Sequence, residues 1–598
     1  MILEALDRIS DRIFRGVGKN AVCVRVCSME EREVQRTKER IASGEARTVS
    51  FYRRVLLWQE QGLFFQAKQR FFRWILQSRA SDIGFFLLSC GAVGVVGNWV
   101  VRHADPLSLE ILIPLAQALS ASVLLRSSKS VSRCMRRSLF LRWLLFDFCG
   151  LSESILAVGS VRRERGWSFI LAGCLIGGLG VLWSATAVAL ILLGGVLLTL
   201  LSAVPELAFL LLFLLLPFLN LTAHPTLMLT AAVAVCCGLC GCKAISGKRQ
   251  VYWSRADGLV LWLCCLFFLS GVISYGDLSE GLLRGLLLFS AWFPIRLLFL
   301  NSIWRRRAFF AMSISSFVCA VWGILQYVLG KAELRWVDTA RFGDIGGRVC
   351  GLFGNPNLFA IYLLFTVPLS LGLAFHRKGW VGRAFFFSAF GVGSLCLVFT
   401  WSRGAWIAWM LSVLLFLMLC SRRSLSCLFA VGICGSGLIS YLPHSVTNRF
   451  QSIGHLTDSS ANYRIHTWRG VCRMLRSHPW GIGCGESAFR SVFPAYAVSG
   501  TESVMHPHQI FLQVFTETGL AGLLLFAVIL WHLLRGFVRF CGSMSEGMRR
   551  TEGVTLFCIL TGGLVMGCFD SLWYHYGLFW LFWSLCAMLK TVMQEEVL

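Results

Sequence analysis

Long apolar runs separated by short basic segments dominate the chain, and most runs have the roughly 20-residue length that an α-helix needs to cross a bilayer. In order they predict crossings near 82–101, 108–125, 167–185, 186–203, 205–222, 225–242, 256–275, 279–301, 308–330, 355–375, 384–401, 404–420, 424–441, 509–534, 552–569 and 573–592. The pattern predicts an all-α, polytopic integral membrane protein with about 14–16 transmembrane helices. The stretch 138–158 is also apolar, but Arg142, Asp147 and Glu153 interrupt it. A charge at mid-bilayer costs about 2.5–3.5 kcal/mol on insertion scales, so this stretch is expected at the interface.

Charge orients the crossings. Lys and Arg accumulate on the cytoplasmic side of short loops. With the N-terminus inside, the internal loops hold Arg126, Lys129, Arg133, Arg136 and Arg137, then Arg162, Arg163 and Arg165. Further along they hold Lys243, Lys248, Arg249 and Arg255, the run Arg305 to Arg307, Arg377, Lys378 and Arg383, Arg422 and Arg423, and Arg535, Arg539, Arg549 and Arg550. The external turns near His224 and Asp277 hold no Lys or Arg, and the alternation puts both termini in the cytoplasm of a multi-pass plasma (inner) membrane protein. Two external segments are long, 331–354 and 443–507. Loops of that length are usually functional, and the second has room for helices of its own.

This divides the chain into a basic N-terminal region over 1–80, a segment 81–166 with two crossings and a basic loop, and a transmembrane core over 167–592. No signal peptide is expected, because the first 80 residues are basic and lack an apolar core. Within them, 51–77 interleaves Phe64, Phe65, Phe71, Phe72 and Trp74 with Arg53, Arg54, Lys68, Arg70 and Arg73, the composition of a helix on an anionic membrane surface or of a solvated basic helix.

Composition agrees. The chain has 56% hydrophobic and only 15% charged residues, against about 25% charged in a soluble domain, which excludes an ordinary cytosolic enzyme. A net charge of +25 would point to nucleic acid in a soluble protein, but here it is carried by the internal loops. Most of the 24 cysteines, such as Cys236, Cys237, Cys240, Cys264 and Cys265, lie inside apolar runs and read as small buried hydrophobes. Cys350, Cys472 and Cys484, on the external side, are expected to be free. Walker-type loops, zinc-protease helices and nucleophile elbows are absent from the sequence, and the glycine cluster Gly481-Ile-Gly-Cys-Gly485 does not follow a strand.

The polar residues that remain fall on the external face. Arg348 lies in Gly346-Gly-Arg-Val-Cys-Gly-Leu-Phe-Gly-Asn-Pro-Asn357, Arg403 in Thr400-Trp-Ser-Arg-Gly-Ala-Trp406, and Arg464 in Asn462-Tyr-Arg-Ile-His-Thr-Trp468. His506, His508 and Gln509 lie in Met505-His-Pro-His-Gln-Ile510. Each has a bland reading. Arg403 snorkels to lipid phosphates, Arg464 sits solvated in a loop, Asn355-Pro-Asn357 is a turn and helix cap, and the histidines start a helix. His506 and His508 resemble a metal pair, but the sequence offers no third ligand nearby, so no metal is expected.

Taken together, these motifs resemble the bacterial O-antigen ligase and polymerase superfamily. The resemblance rests on Gly-Asn-Pro-Asn357 at a helix start, Ser402-Arg-Gly-Ala-Trp406 between crossings, and Tyr463-Arg464 with Trp468 in the large loop. It also rests on Pro205-Glu206-Leu207 and on a histidine pattern met by His508, Gln509, nine residues, Gly519, two residues and Gly522. It covers about residues 167–590. It implies a type-C, metal-independent, inverting glycosyltransferase without cofactor, which moves a glycan from an undecaprenyl-diphosphate-linked donor to a hydroxyl of a glycan, lipid or protein acceptor outside the membrane. A polysaccharide polymerase of the same family is the near alternative, and a polytopic transporter or flippase the distant one.

Charge logic assigns roles within that chemistry. Guanidinium groups hold a departing diphosphate bidentately and stay charged, which suits Arg403 and Arg464, with Arg348 third. His508 is the expected base, at a pH where a neutral imidazole takes the acceptor proton. Asn355, Asn357, Trp468, His506 and Gln509 are expected to contact substrate, and Glu517 to be structural.

Overall fold

The computed structural model describes residues 74–138, 142, 166–245, 253–272, 275, 277–337, 346–376, 379–420, 446–447, 459–543 and 547–594. The predicted crossing at 424–441, nearly all of 138–158 and most of 51–77 lie outside these residues. Among the described residues the structure is helical, with only two isolated bridges, Arg79 to Ser130 and Glu333 to Arg348. The chain is an all-α, polytopic membrane protein. Nine described helices are long and apolar enough to cross a bilayer, and four shorter apolar helices accompany them.

The chain divides into two compact units. The smaller, 45–208 with 241–249, contains α1 (Ala80–Val100), α2 (Leu109–Leu125), α3 (Val131–Arg137), α4 (Trp167–Leu182) and α5 (Ala185–Ala203). Its helices meet through small residues. A methyl group on Gly173 or Gly177 of α4 would strike the α1 backbone at Phe86 and Cys90, so the bare backbones approach closely, as helices in lipid do. α6 (Pro205–Leu215) begins with Pro205 and Glu206, and Glu206 is fully buried against Lys243 at 2.6 Å. The run predicted as one crossing over 205–222 is split: α6 gives way to a 3₁₀ segment at Leu216–Leu221. Pro217 has no N–H and crowds the carbonyl four residues back, which ends the α-helical pattern.

The larger unit comprises 209–240 and the described residues from 253 onward. It holds most of α7 (Pro225–Ile245), then α8 (Arg255–Val272), α9 (Leu278–Leu298), α10 (Ser302–Val328), α11 (Pro356–His376), α12 (Trp380–Phe399) and α13 (Arg403–Cys420). After them come α14 (Ser459–Ser477), α15 (Glu486–Val492), α16 (Ile510–Ser543), α17 (Met548–Gly567) and α18 (Tyr576–Gln594). α18 is buried along almost its whole length and α11 along most of it. A helix that is apolar all round belongs inside the bundle, and these two form its centre. The N-termini of both open at the same end as the turn between α17 and α18.

The predicted loop arginines Arg305 and Arg306 are not in a loop. Both lie in the first turns of α10, where Arg305 is fully buried and both pair with Glu552 of α17. A carboxylate 247 positions away in sequence is what allows the charge to enter the helix.

The long segment 443–507 carries its own small core. α14 places Thr467, Val471 and Met474 on one buried stripe at the three- and four-residue spacing of a helix. Val471, Met474 and Leu475 pack with Ile482, Phe489, Val492, Phe493 and Val504, each worth about 1.5–3 kcal/mol on full burial. Arg464 lies one turn before Thr467 on the same stripe, so this cap fixes its direction.

Candidate active site

The turn joining α17 to α18 carries Asp570, a buried acid that three separate segments reach. Its Oδ1 accepts from the Ser571 backbone N–H at 2.9 Å and faces His508 Nδ1 at 3.0 Å and His506 Nε2 at 3.9 Å. Its Oδ2 accepts from Asn357 Nδ2 at 2.8 Å and faces Arg464 Nη2 at 3.7 Å. Asn357 Oδ1 in turn accepts from Arg348 Nη2 at 2.8 Å. Arg348, Asn357, Arg464, His506 and His508, which the sequence places in three distant motifs, are thus joined through one carboxylate.

Each segment is held by local structure. Asn355 caps α11, its side-chain oxygen accepting from the Asn357 N–H at 2.9 Å, with Pro356 at the first helical position. Arg348 donates from Nε to the Thr400 carbonyl at 2.8 Å, tying the 346–354 segment to the turn before α13. Arg403 opens α13, half-buried. Its neighbour Gly404 lies so close to Phe569 and Met566 that an added methyl group would sit 3.1 Å from each, which puts the Arg403 turn beside the residue preceding Asp570. Trp468 Nε1 donates to the Pro507 carbonyl at 3.1 Å, fixing the His-Pro-His segment against α14. Gln509 turns its side-chain oxygen to the Leu512 N–H at 2.5 Å, so its amide caps α16.

Two residues of this region have left-handed backbones, Trp401 (φ 54°) and His508 (φ 54°). For a residue with a side chain this costs about 1–2 kcal/mol, and such strain collects at functional sites. Gly519, in the middle of α16, has φ 71° and breaks the helix. The break lets residues 479–482 cross it: Leu520 N–H donates to the Pro479 carbonyl at 3.0 Å and Ile482 N–H to the Thr516 carbonyl at 2.7 Å. A methyl group on Gly519 would lie 2.5 Å from the Trp480 backbone, so both conformation and space require glycine here.

The electrostatics follow. Burial alone raises the Asp570 pKa, but the contacts of His506 and His508 and the positive charge of Arg464 outweigh it and hold the carboxyl well below its usual range. His506 is pushed down by burial, against the opposing pull of Asp570, and stays neutral. A carboxylate only accepts, so His508 Nδ1 is the donor to Asp570, and Nε2 is the ring nitrogen that this contact leaves unused. The ring is about a quarter exposed.

Asp570 also supplies what the sequence reading lacked, a third group beside the two histidines, with ligand atoms within 4.8 Å of one another. The set fits a cation poorly. Arg464 already stands beside the carboxylate, and Asn357 and Ser571 occupy its oxygens. Cys350, Cys472 and Cys484 are all free thiols.

The chain can now be set beside known proteins. Residues 385–527 match the O-antigen ligase family. The O-antigen ligase-like match covers about a quarter of the chain and takes in Arg403, Arg464, Trp468, His506, His508, Gln509 and both glycines of the histidine pattern. It supports a membrane enzyme of the O-antigen ligase and polymerase type, engaged in polysaccharide biosynthesis. Arg348, Asn355, Asn357 and Asp570 lie outside the matched segment. No curated protein matches the chain. Sequence reasoning did not single out Asp570, although the signal was there: an acid in Cys568-Phe-Asp-Ser571, at the turn between two apolar runs of an acid-poor chain.

Proposed function

We propose that this protein transfers a glycan from an undecaprenyl-diphosphate-linked donor to an acceptor hydroxyl at the external membrane face, by a metal-independent inverting displacement. The observation that carries the proposal is the convergence of His508, Arg464, Asn357 and Arg348 on Asp570. Asp570 orients His508 with the Nε2 lone pair available. As the acceptor oxygen forms its bond to the anomeric carbon, its proton passes to Nε2. The bond from that carbon to the diphosphate oxygen breaks with its electron pair, and the polyprenyl diphosphate leaves as an anion. Arg464, Arg403 and Arg348 oppose the charge that develops on it, usually the largest catalytic contribution. The sugar–diphosphate ester supplies the driving force, so no nucleotide enters. Reciprocal support for the imidazolium from Asp570 parallels the role of the acid in a hydrolase triad.

The test is incubation of the purified full chain, in liposomes, with a polyprenyl-diphosphate-linked glycan and candidate acceptors. Transfer with release of polyprenyl diphosphate is expected, and product length separates single transfer from polymerisation. Glycan movement across the liposome without any bond change would replace the transferase reading with the flippase one.

A further inference from the structure

α14 has two faces of opposite character. It contains no Asp or Glu and four arginines, of which Arg464 turns to Asp570. The other three, Arg469, Arg473 and Arg476, are exposed together with Cys472. At 3.6 residues per turn these four side chains fall within an arc of about 100°. The opposite face, with Val471, Met474 and Leu475, packs into the cap core against Leu512 and Phe515 of α16. The arginine face therefore points away from the bundle. Among the described residues none of its three guanidinium groups has a hydrogen-bond or ion-pair partner.

The C-terminal end of α14 sets the height of that face. Just past it the Pro479 carbonyl accepts from the Leu520 N–H at 3.0 Å, and the Trp480 backbone lies against Gly519. Leu520, Leu524 and Val528, at four-residue spacing on the long arm of α16, are exposed, as the lipid-facing stripe of a membrane-crossing helix is. Trp480, 80% exposed, stands at the head of that stripe. Beside it Tyr275, 60% exposed, donates its N–H to the Ile482 carbonyl at 3.1 Å and meets the His478 ring edge-on. Tryptophan and tyrosine collect where hydrocarbon meets headgroups, because their rings are apolar and carry a polar N–H or O–H. The end of α14 is thus at headgroup level. Arg476 precedes Trp480 by four residues, and the row from Arg469 to Arg476 covers about 10 Å of helix.

At that level the abundant partner for a row of unpaired guanidinium groups is a layer of phosphates. A guanidinium donates to phosphate oxygens in pairs, and basic clusters beside a membrane-crossing helix draw anionic lipid to themselves.

We propose that the exposed face of α14 docks on the phosphates of anionic phospholipids, with Trp480 set among the headgroups. α14 is then seated at both ends, on Asp570 through Arg464 near its start and on the membrane near its end. The docking uses none of the arginines assigned to the diphosphate, and it holds whether or not the chain transfers a glycan.

The test uses the purified full chain in nanodiscs of phosphatidylcholine alone or with about 40 mol% phosphatidylglycerol. Cys472, within the arginine face, is the reporter. Its alkylation by uncharged N-ethylmaleimide is read on its own peptide by mass spectrometry, relative to a cysteine placed at the exposed Ser499 of the same cap. Phosphatidylglycerol is expected to slow Cys472 about fivefold, and about 1 M NaCl to restore the rate by screening. The triple variant Arg469→Gln, Arg473→Gln, Arg476→Gln removes only exposed, unpaired charges and is expected to react alike in both lipids. Equal wild-type rates in the two lipids, or a lipid effect that persists in the triple variant, overturns the proposal. Equal protection in phosphatidylcholine by millimolar inorganic phosphate also overturns it and assigns the face to a soluble anion. Equal protection there by polyglutamate overturns it in favour of an acidic protein.

Discussion

At one end of the large bundle, Glu552 accepts from Arg305 at 3.0 and 3.1 Å and from Arg306 at 2.9 Å, while Arg305 gives its remaining fork to the Phe299 and Leu300 carbonyls at 3.0 and 2.6 Å. Nearby, Arg296 is buried against Asp257 and Gln594. At the other end, Asp570 is just as buried, yet its partners His508 and Arg464 are each about a quarter exposed and His508 is backbone-strained. Both ends bury charge inside one helical scaffold. The first gives each buried carboxylate an arginine partner, which lets the charges enter the helices and so serves folding. The second leaves groups turned outward and strained, which is the mark of a site that waits for something to bind.

Substitutions at the two ends should separate these roles. The largest effect is expected from His508→Ala, a loss of about 10²–10⁴ in kcat with an unchanged unfolding midpoint; near-wild-type turnover in the liposome assay would remove the base assignment. Glu552→Ala leaves Arg305 buried without its carboxylate and should cost roughly 3–5 kcal/mol of stability, with activity per folded molecule retained. Urea titration in detergent measures it, and a specific loss of turnover at full stability would end the contrast between the two ends.

The Asp570 contrast has a pH signature. Its folded pKa is depressed, so its contribution to stability is complete above the ordinary aspartate value near 3.9 and is lost as pH falls through the lower folded value. The gap in unfolding midpoint between wild type and Asp570→Asn should therefore hold steady above about pH 5 and narrow below about pH 4. A gap that closed near pH 6 would trace the network's stability to histidine protonation instead. The smallest effect is expected from chelation: prolonged dialysis against EDTA should leave transfer unchanged, and a loss restored by added zinc would convert His506, His508 and Asp570 into a metal centre.

Much of the helical framework was legible because each apolar run carries its own instruction at bilayer length, as for α11 and α18. Arg305 and Arg306 were misread because charge signals a loop locally, while the carboxylate that admits them into α10 is supplied by α17. The site divides the same way. Arg403, Arg464 and His508 stand out individually by residue type and motif, but their shared hub is a tertiary fact: Asp570 is 62 residues from His508 and 213 from Asn357. The Arg284–Glu517 pair was hidden in the same manner, each charge looking like a flaw in its own helix.

The break at Gly519 has a mechanical consequence. The short arm of α16 that follows His508 is bonded through its Thr516 carbonyl to Ile482, and the long arm, which runs on to Ser543, is bonded at its first residue, Leu520, to Pro479. Helices tilt when the lipid layer thickens or thins. Here the bend falls at a residue with no side chain, and the 479–482 segment is bonded on both sides of it, so a change of tilt in the long arm bears on that segment as well as on the bend.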